Sequence, residues 1–308
     1  MRKILGINIS HNVSFAYFEN NILKEYYEED RFNKIKNYEP DENELANFNY
    51  EYKVLKKFKN IIFDAVVFSS YDRGHLQIEL PIIKHFLKQV KYKKYSFSPE
   101  RHHLHHAICG FYFSNFNEAI ALVSDGGGEC FIDSTFKTLQ SIHLVNKNKI
   151  EIKYKFVSNK KVSYFNYKEK FNFEKSNNGI DYTISNEEKA GLKYLNYLEQ
   201  AGFNRHEEGQ MMGIAAYKNK ETNLNKNVLE IANKAQEETL EDFVELIKRA
   251  KKYSDSRNII LSGGYHLNCS NNFKIVKKFP EYNFFVDPIA YDGGTAVGAA
   301  YHYENYLW

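Results

Sequence analysis

The first part of the chain alternates between short apolar runs and polar turns. Residues 4–9 form an apolar run suited to a buried strand, and residues 13–19 and 22–28 continue with strand-like alternation. Asn20 and Asn21 separate the last two runs, and asparagine tolerates the positive φ angles of a tight hairpin. The pattern predicts a strand, a polar turn, and then a hairpin of two further strands.

The same order of elements returns later in the chain. Residues 119–124 are apolar, and Asp125 with three glycines follows them as a turn. Residues 129–135 and 138–145 then have the apolar and β-branched content of two more strands. The second part of the chain is therefore predicted to open with its own three-stranded unit.

Each three-stranded opening is followed by helical sequence and a further strand. In the first part, residues 45–58 have a helical pattern and residues 61–69 a strand pattern. In the second part, residues 228–253 and 258–261 have the corresponding patterns. A duplicated α/β unit with a polar turn after each first strand places the two turns on facing sides of a cleft.

We therefore predict a two-lobed α/β protein. The first lobe covers residues 1–117 and the second covers residues 118–308. Residues 148–185 are polar, aromatic and weakly periodic, so we interpret them as an insertion in the second lobe.

Composition restricts the function classes. The chain has 308 residues with 43% hydrophobic side chains, which excludes disorder, and 42 basic against 39 acidic side chains give a net charge of only +3. That charge is too weak for an electrostatic case for nucleic acid. Cys109, Cys130 and Cys269 fit no metal-finger spacing, and we find no signal peptide or membrane-spanning run. We expect a cytoplasmic protein that does not enter a membrane.

Four histidines within five positions are the first candidate for chemistry. If residues 101–114 form a helix, His102 and His106 lie one turn apart on the same face. Two imidazoles in this arrangement can share a metal ion and leave other positions for carboxylate, water or phosphate. The alternative is a polar helix start with solvated histidines.

Two glycine-rich turns are candidates for phosphate binding. Asp125 ends a strand before Gly126, Gly127 and Gly128, so backbone N–H groups could approach a phosphate while the carboxylate faces a cation. Gly263 and Gly264 join a strand to a helix, where a phosphate meets the helix N-terminus. A plain hairpin turn and close packing are the respective alternatives.

Other polar residues accompany these turns. His11 follows the first strand and Lys36 follows the third, where cations can bind an anionic leaving group. Glu208 begins a helix and is either a ribose-binding carboxylate or part of a buried helix. Asp292 precedes a helix of small residues, which capping and close packing also explain.

Six motifs in this order resemble the NodU/CmcH carbamoyltransferase family, the tobramycin type. Any one motif is ordinary, but six in register across nearly the whole chain are specific. The matching segments are residues 6–14 with 29–36, 102–107, 125–129, 208–213, 263–268 and 292–299.

The resemblance implies an actin-like ATPase fold, a duplicated ribonuclease-H-like architecture, and a relation to the tRNA threonylcarbamoyladenosine synthases. In that related group a metal, often iron, is bound by paired histidines and aspartates. The corresponding ligands here are His102, His106, Asp125 and Asp292. Iron is expected first, with manganese, zinc or magnesium as alternatives.

The resemblance also implies a nucleotide, ATP or carbamoyl-adenylate, in the cleft. The corresponding nucleotide-binding residues are Gly126, Gly127, Gly128, Gly263, Gly264 and Asn268, with Glu208 near the ribose. His11 and Lys36 correspond to residues at the carbamoyl end.

The resemblance implies transfer of a carbamoyl group to a hydroxyl or amino group. The acceptor is expected to be a small molecule or nucleotide, with a nucleic-acid base as a further alternative. We expect no C-terminal YrdC-like domain in this chain, so a separate YrdC-like protein would supply the activated donor, or carbamoyl phosphate would react directly. A homodimer is a further expectation. The rival functions are a kinase or ATPase of the same fold and a nucleotide-binding regulatory module.

Overall fold

The first sheet has β1 at its centre and an antiparallel hairpin on one side. A computed structural model describes residues 1–40, 50–70, 76–131, 136–159, 172–218 and 220–308. The strands of this sheet are β1 (Lys3–Asn8), β2 (Ser14–Glu19), β3 (Ile22–Glu28), β4 (Ile62–Ser69) and β5 (Lys91–Phe97). Their order is β3-β2-β1-β4-β5, antiparallel from β3 to β1 and parallel from β1 to β5. The predicted strand and hairpin at the start of the chain are confirmed.

The second sheet repeats this order. Its strands are β6 (Glu118–Ser124), β7 (Cys130–Phe131), β8 (Phe136–Asn146), β9 (Ile150–Asn159), β10 (Asn172–Asn177), β11 (Ile180–Ser185), β12 (Asn258–Ser262) and β13 (Asn283–Val286). Within it, β9-β8-β6-β12-β13 has the same sequence of antiparallel and parallel neighbours as the first sheet. The predicted duplication is therefore present in the fold.

One strand assignment in the second unit is wrong. Residues 129–135 and 138–145 were expected to be its second and third strands, but β8 is the second and β9 the third. The short strand β7 pairs with β8 beside the main path, and residues 132–135 lie outside the described residues. The third strand thus lies within residues 148–185, where β11 and β10 extend the sheet further.

The helices follow their strands as the duplicated unit requires. They are α1 (Asp30–Asn33), α2 (Leu76–Leu87), α3 (His102–Ser114), α4 (Ala190–Gln200), α5 (Glu208–Ala215), α6 (Lys226–Ala250), α7 (Cys269–Lys278) and α8 (Thr295–His302). Helices α3 and α6 confirm the predictions for residues 101–114 and 228–253. The helix predicted over residues 45–58 is wrong for its described part, where only a 3-10 turn at Leu55–Phe58 forms, and residues 45–49 lie outside the described residues.

The helix that follows each sheet packs against the other sheet. In α3, Ala107 and Phe111 belong to a buried cluster with Ile260 of the second sheet. In α8, Ala296 belongs to a buried cluster with Ile4 of the first sheet. The two helices therefore cross between the sheets and join the halves of the molecule. The predicted boundary between residues 117 and 118 stays a prediction.

Glycine makes this crossing close. A Cβ atom on Gly298 of α8 would lie 1.9 Å from the carbonyl oxygen of His105 in α3. A Cβ atom on Gly6 of β1 would lie 2.0 Å from the carbonyl oxygen of Ala296. Backbones can approach this closely only where no side chain intervenes. None of the helices in the described ranges is long and apolar enough to cross a membrane.

Candidate metal centre in the cleft

Helix α3 brings two imidazoles together at the centre of the molecule. His102 and His106 are one helical turn apart, and both are fully buried. Their Nε2 atoms lie 3.2 Å from each other, and their rings meet at 83°. The predicted shared face is confirmed, and the alternative of solvated histidines is wrong.

Two carboxylates complete the cluster. Asp125 follows β6, and its Oδ2 lies 3.2 Å from Nε2 of His102. Asp292 precedes α8, and its Oδ1 lies 3.6 Å from Nε2 of both His102 and His106. One ligand atom from each of the four residues lies within 4.8 Å of the other three. The structure thus assembles the predicted ligand set from distant parts of the chain.

The donor atoms of this cluster fit a divalent transition metal. Imidazole nitrogen and carboxylate oxygen are ligands of iron, zinc and manganese, and ligand atoms about 2.1 Å from a metal lie roughly 3–3.5 Å from each other. The distance of 3.2 Å from Nε2 of His102 to Oδ2 of Asp125 lies within that range, and the distance of 3.6 Å to Oδ1 of Asp292 lies just above it. Nδ1 of His102 and Nδ1 of His106 are buried and have no hydrogen-bond partner among the described residues. Metal identity stays a prediction.

Without a metal, the cluster favours a proton on His102 and ionised carboxylates. Burial lowers the pKa of His102, but the carboxylates of Asp292 and Asp125 outweigh burial and raise that pKa to about 9. Burial raises the pKa of Asp292, but His11, His102 and His106 outweigh it and hold that pKa well below its ordinary value. The carboxylates thus attract positive charge to this site, and a metal ion bound here would have to displace the proton from His102.

Hydrogen bonds from the first lobe orient Asp292. Oγ of Ser10 lies 3.0 Å from Oδ2 of Asp292 and 2.7 Å from Oδ1 of Asn8, so its single hydroxyl proton can be donated to either oxygen. Ser14 donates through Oγ to the carbonyl oxygen of Gly293 at 2.7 Å. Sequence reasoning missed the contact of Ser10 with Asp292, because 282 positions separate the two residues.

The two glycine turns meet at Asp125. Its Oδ1 accepts hydrogen bonds from the backbone N–H of Gly126 at 2.8 Å and of Gly264 at 3.2 Å. Gly263 has φ of 91°, and a Cβ atom there would lie 2.3 Å from the carbonyl oxygen of Ser124. Both predicted turns therefore lie beside the candidate metal ligands, and their contact with phosphate stays a prediction.

The end of the first glycine turn packs inwards. A Cβ atom on Gly128 would lie 2.4 Å from the His103 ring, whereas among the described residues one on Gly127 would meet Lys137 alone, at 3.5 Å. The backbone N–H of His103 donates to Oε2 of Glu129 at 3.0 Å, which fixes the start of α3 against the turn. Gly128 therefore supports the position of α3 as well as the turn.

A cavity of about 460 Å³ lies between α5, α6 and α7. Among the described residues, the predicted nucleotide residue Asn268 contacts its lining only through Gln236, and Glu208 is not part of the lining. Asn268 caps α7 by accepting from the backbone N–H of Asn271 at 3.1 Å, and its Nδ2 donates to Oε1 of Gln236 at 3.0 Å. Gln236 lines the cavity with residues of α5, α6 and α7. Glu208 begins α5, and its Oε1 accepts from the backbone N–H of His206 at 3.0 Å. The nucleotide roles of Asn268 and Glu208 stay predictions.

The predicted catalytic residues lie at one opening of the cleft. Nε2 of His11 lies 3.4 Å from Oδ2 of Asp292, and the pKa of His11 is raised chiefly by that carboxylate. The His206 ring contacts the His11 ring at a centroid distance of 6.1 Å. Lys36 is exposed, and the positive charge of its amine lowers the pKa of His206. Lys36 therefore influences this opening of the cleft through its charge. His206 was missed, because a single histidine in a polar loop has no distinguishing pattern.

Comparison with protein families gives one match that spans nearly all of the chain. The model of the carbamoyltransferase N-terminus family matches residues 7–301. A search of curated proteins gave no significant match.

Solved structures share the fold at low sequence identity. HypF in a phosphate- and nucleotide-bound form matches with a TM-score of 0.60 and 12% identity over 100% of this chain and 56% of the HypF chain. HypF from T. kodakarensis matches with a TM-score of 0.55 and 12% identity over 99% and 48% of the two chains. A ROK family protein from Streptococcus pneumoniae matches with a TM-score of 0.52 and 11% identity over 99% and 100%. The chain spans about half of each HypF chain, and the two-lobed actin-like fold is confirmed.

Proposed function

Because the chain belongs to the carbamoyltransferase N-terminus family, we propose that it transfers a carbamoyl group from an activated donor to a hydroxyl or amino group. Within this family, we propose the NodU/CmcH branch, related to the tRNA threonylcarbamoyladenosine synthases, and the six motifs support this proposal. The observation that carries the proposal is the buried cluster of His102, His106, Asp125 and Asp292 between two glycine turns. The buried histidine pair favours this proposal over a kinase, because kinases hold Mg²⁺ through oxygen ligands rather than through imidazoles.

The donor's adenosine is proposed to bind in the second lobe. The cavity beside Gln236 has about 460 Å³, which is within the range of small-molecule sites. Asn268 connects this cavity to the turn at Gly263 and Gly264. A nucleotide in the cavity would therefore direct its phosphates along that turn towards Asp125.

The residues of the cluster would stabilise charge during transfer. His102, His106, Asp125 and Asp292 would hold iron, or manganese, zinc or magnesium, and the metal would act as a Lewis acid towards the donor's oxygen atoms. Asp292 raises the pKa of His11 and so favours its protonated form, and this cation would stabilise negative charge on the departing phosphate. Backbone N–H groups of the glycine turns can add hydrogen bonds to the same phosphate.

The activated donor is proposed to be carbamoyl-adenylate made by a YrdC-like unit. Making this mixed anhydride requires attack on the α-phosphorus of ATP, which is a different reaction from acyl transfer. Transfer requires a site that binds the adenylate and presents its carbonyl group to the acceptor. The described cleft has the features for the second task, namely a candidate metal centre, two glycine turns and a nucleotide-sized cavity.

This division of tasks gives a direct test. The purified chain, incubated with ATP and carbamoyl phosphate, should release no pyrophosphate above the rate without protein. Supplied with freshly prepared carbamoyl-adenylate and hydroxylamine, it should form hydroxyurea faster than the spontaneous reaction. Hydroxylamine is a strong nucleophile, so this assay needs no knowledge of the natural acceptor.

Four possible results distinguish the proposal from its alternatives. Hydroxyurea formation that depends on the protein supports carbamoyl transfer. Release of ADP from ATP without any carbamoyl donor would instead indicate a kinase or ATPase of the same fold. Nucleotide binding without either reaction would indicate a regulatory module. Pyrophosphate release by the chain alone would show that it activates its own donor.

A further inference from the structure

A second histidine faces His11 across the opening of the cleft. The two ring centroids are 6.1 Å apart, and the rings meet edge to face at 68°. His11 belongs to the turn after β1, whereas His206 belongs to the loop before α5. The contact therefore joins the first and second halves of the chain beside Asp292, which His11 touches at 3.4 Å.

The loop holds His206 in an uncommon backbone conformation. Its φ is 73°, in the left-handed region that a residue with a Cβ atom rarely adopts. Its backbone N–H donates to Oε1 of Glu208 at 3.0 Å, which stabilises the turn into α5. The side chain remains exposed to solvent. The loop thus presents this imidazole at the opening, where a molecule from solvent can reach it.

The other histidines at this opening are engaged elsewhere. His102 and His106 are fully buried and direct Nε2 towards the two carboxylates, and Nε2 of His11 lies against Asp292. Among the described residues, no hydrogen bond or ion pair engages the ring of His206. Its nitrogen atoms are therefore available to an incoming group.

We propose that His206 is the general base that takes the proton of the acceptor. This inference rests on the proposed carbamoyl transfer. The acceptor oxygen or nitrogen forms a bond to the carbamoyl carbon, and the bond from that carbon to the phosphate oxygen of the donor breaks. The electron pair of the broken bond leaves with AMP, and the acceptor's proton passes to an imidazole nitrogen of His206. Solvent then removes the proton from the exposed ring.

The surroundings of His206 keep its imidazole neutral at physiological pH. Partial loss of solvent around the ring lowers its pKa, Glu208 raises it, and the charges of His11, Lys36 and Arg205 lower it further. A neutral imidazole can accept a proton, and a base positioned in this way contributes about 10²- to 10⁴-fold to the rate. The exposed Lys36 therefore acts on the base through its charge.

The test compares two nucleophiles in the wild type and in His206→Gln. An alcohol loses its proton during attack and needs a base, whereas neutral hydroxylamine attacks without one. With carbamoyl-adenylate as donor and molar ethylene glycol as acceptor, His206→Gln should form carbamate ester at least about 100-fold more slowly. Hydroxyurea formation from hydroxylamine should stay within about threefold. Metal content and nucleotide affinity should not change.

A second variant and a control strengthen the comparison. His206→Ala should regain ester formation when imidazole is added, because free imidazole can occupy the space of the missing ring. Arg205→Gln, next in the chain, should form the ester at a rate within about twofold of the wild type at pH 8. The fall in ester formation at acidic pH, which protonation of His206 causes, should be absent in His206→Gln.

Different results would overturn carbamoyl transfer itself and the assignment of His206 as its base. If the wild type forms neither product faster than the spontaneous reaction, carbamoyl transfer itself is wrong. If the wild type forms hydroxyurea and His206→Gln slows both products equally or neither, transfer stands and His206 is not the base. A wild type that forms hydroxyurea but no ester also overturns the assignment, because it has no base for alcohols.

Discussion

Neighbouring histidines on α3 have different tasks that depend on the direction of each side chain. His102 and His106 face the carboxylates, whereas His105 faces the first lobe, where its Nδ1 lies 2.9 Å from Oγ of Ser69. His103 faces the second lobe, where its Nδ1 lies 2.9 Å from Oγ of Ser141. The helical period could be predicted from the sequence, so the pair at 102 and 106 could be as well. The hydrogen-bond partners of His103 and His105 could not be predicted, because they come from strands distant in the sequence.

Removing both facing imidazoles should remove the metal. The double variant His102→Ala, His106→Ala loses two of four candidate ligands on one face of α3. We expect bound metal, measured by elemental analysis, to fall to background while circular dichroism shows a retained fold. His105→Asn is the matched control on the same helix, since asparagine can keep the hydrogen bond to Ser69. Unchanged metal content in the double variant would contradict the site.

Regular elements were predictable where one face is apolar and the other polar. The 25-residue helix α6 has this pattern over its whole length. Strand β9 was missed because Lys155 occupies an inward position, where it forms an ion pair with the buried Glu129. Strand β5 was missed because it lies at a sheet edge, where exposed lysines are common. In both strands, tertiary contacts outweigh the local pattern.

The crossing of α3 and α8 should tolerate no side chain at Gly298. Alanine there would place Cβ 1.9 Å from the carbonyl oxygen of His105, so the helices must move apart. We expect Gly298→Ala to lower the free energy of unfolding by at least about 2 kcal/mol and to weaken metal binding. Urea unfolding and metal titration would measure these changes.

Gly213→Ala is the matched control in another helix. A Cβ atom on Gly213 of α5 would meet nothing within 4 Å among the described residues. Alanine stabilises a helix interior relative to glycine by roughly 0.5–1 kcal/mol, so this variant should be at least as stable as the wild type. Equal losses in both variants would show that the helix crossing is not the cause.

At the scale of the whole molecule, the cluster connects its two halves through charge. Asp125 follows the first strand of the second unit, and Asp292 lies more than 160 residues later, before the helix that covers the first sheet. The two aspartates could be predicted as ligands from the family motifs. The approach of His206 to His11 could not, because loop conformation brings them together.

Without metal, the stability of the protein should depend on the protonation of His102. The pKa of this residue is raised from 6.5 to about 9 in the folded protein, so it stabilises the fold fully below pH 6.5 and loses that effect as pH rises through 9. At about 1.4 kcal/mol per pKa unit, the loss is roughly 3 kcal/mol. Urea unfolding of metal-free protein between pH 6 and pH 10 would measure it.

Two comparisons make this pH dependence specific. Metal-loaded protein should not show the loss, since the cation replaces the proton. The variant His102→Ala should show a flatter profile than the metal-free wild type. If the stability of the metal-free wild type did not change from pH 6.5 to pH 10, the raised pKa of His102 would be contradicted.

Each sheet is covered by a helix from the other half of the chain, and this affects folding during synthesis. A ribosome makes the first sheet early, but the buried residues that cover Ile4, Ala16 and Val67 include Ala296 and Ala300, near the other end of the chain. Until residues 295–302 have left the ribosome, the first sheet has one apolar face without this cover. That face is a target for chaperones and for premature association during translation, and α8 completes the first lobe when it emerges.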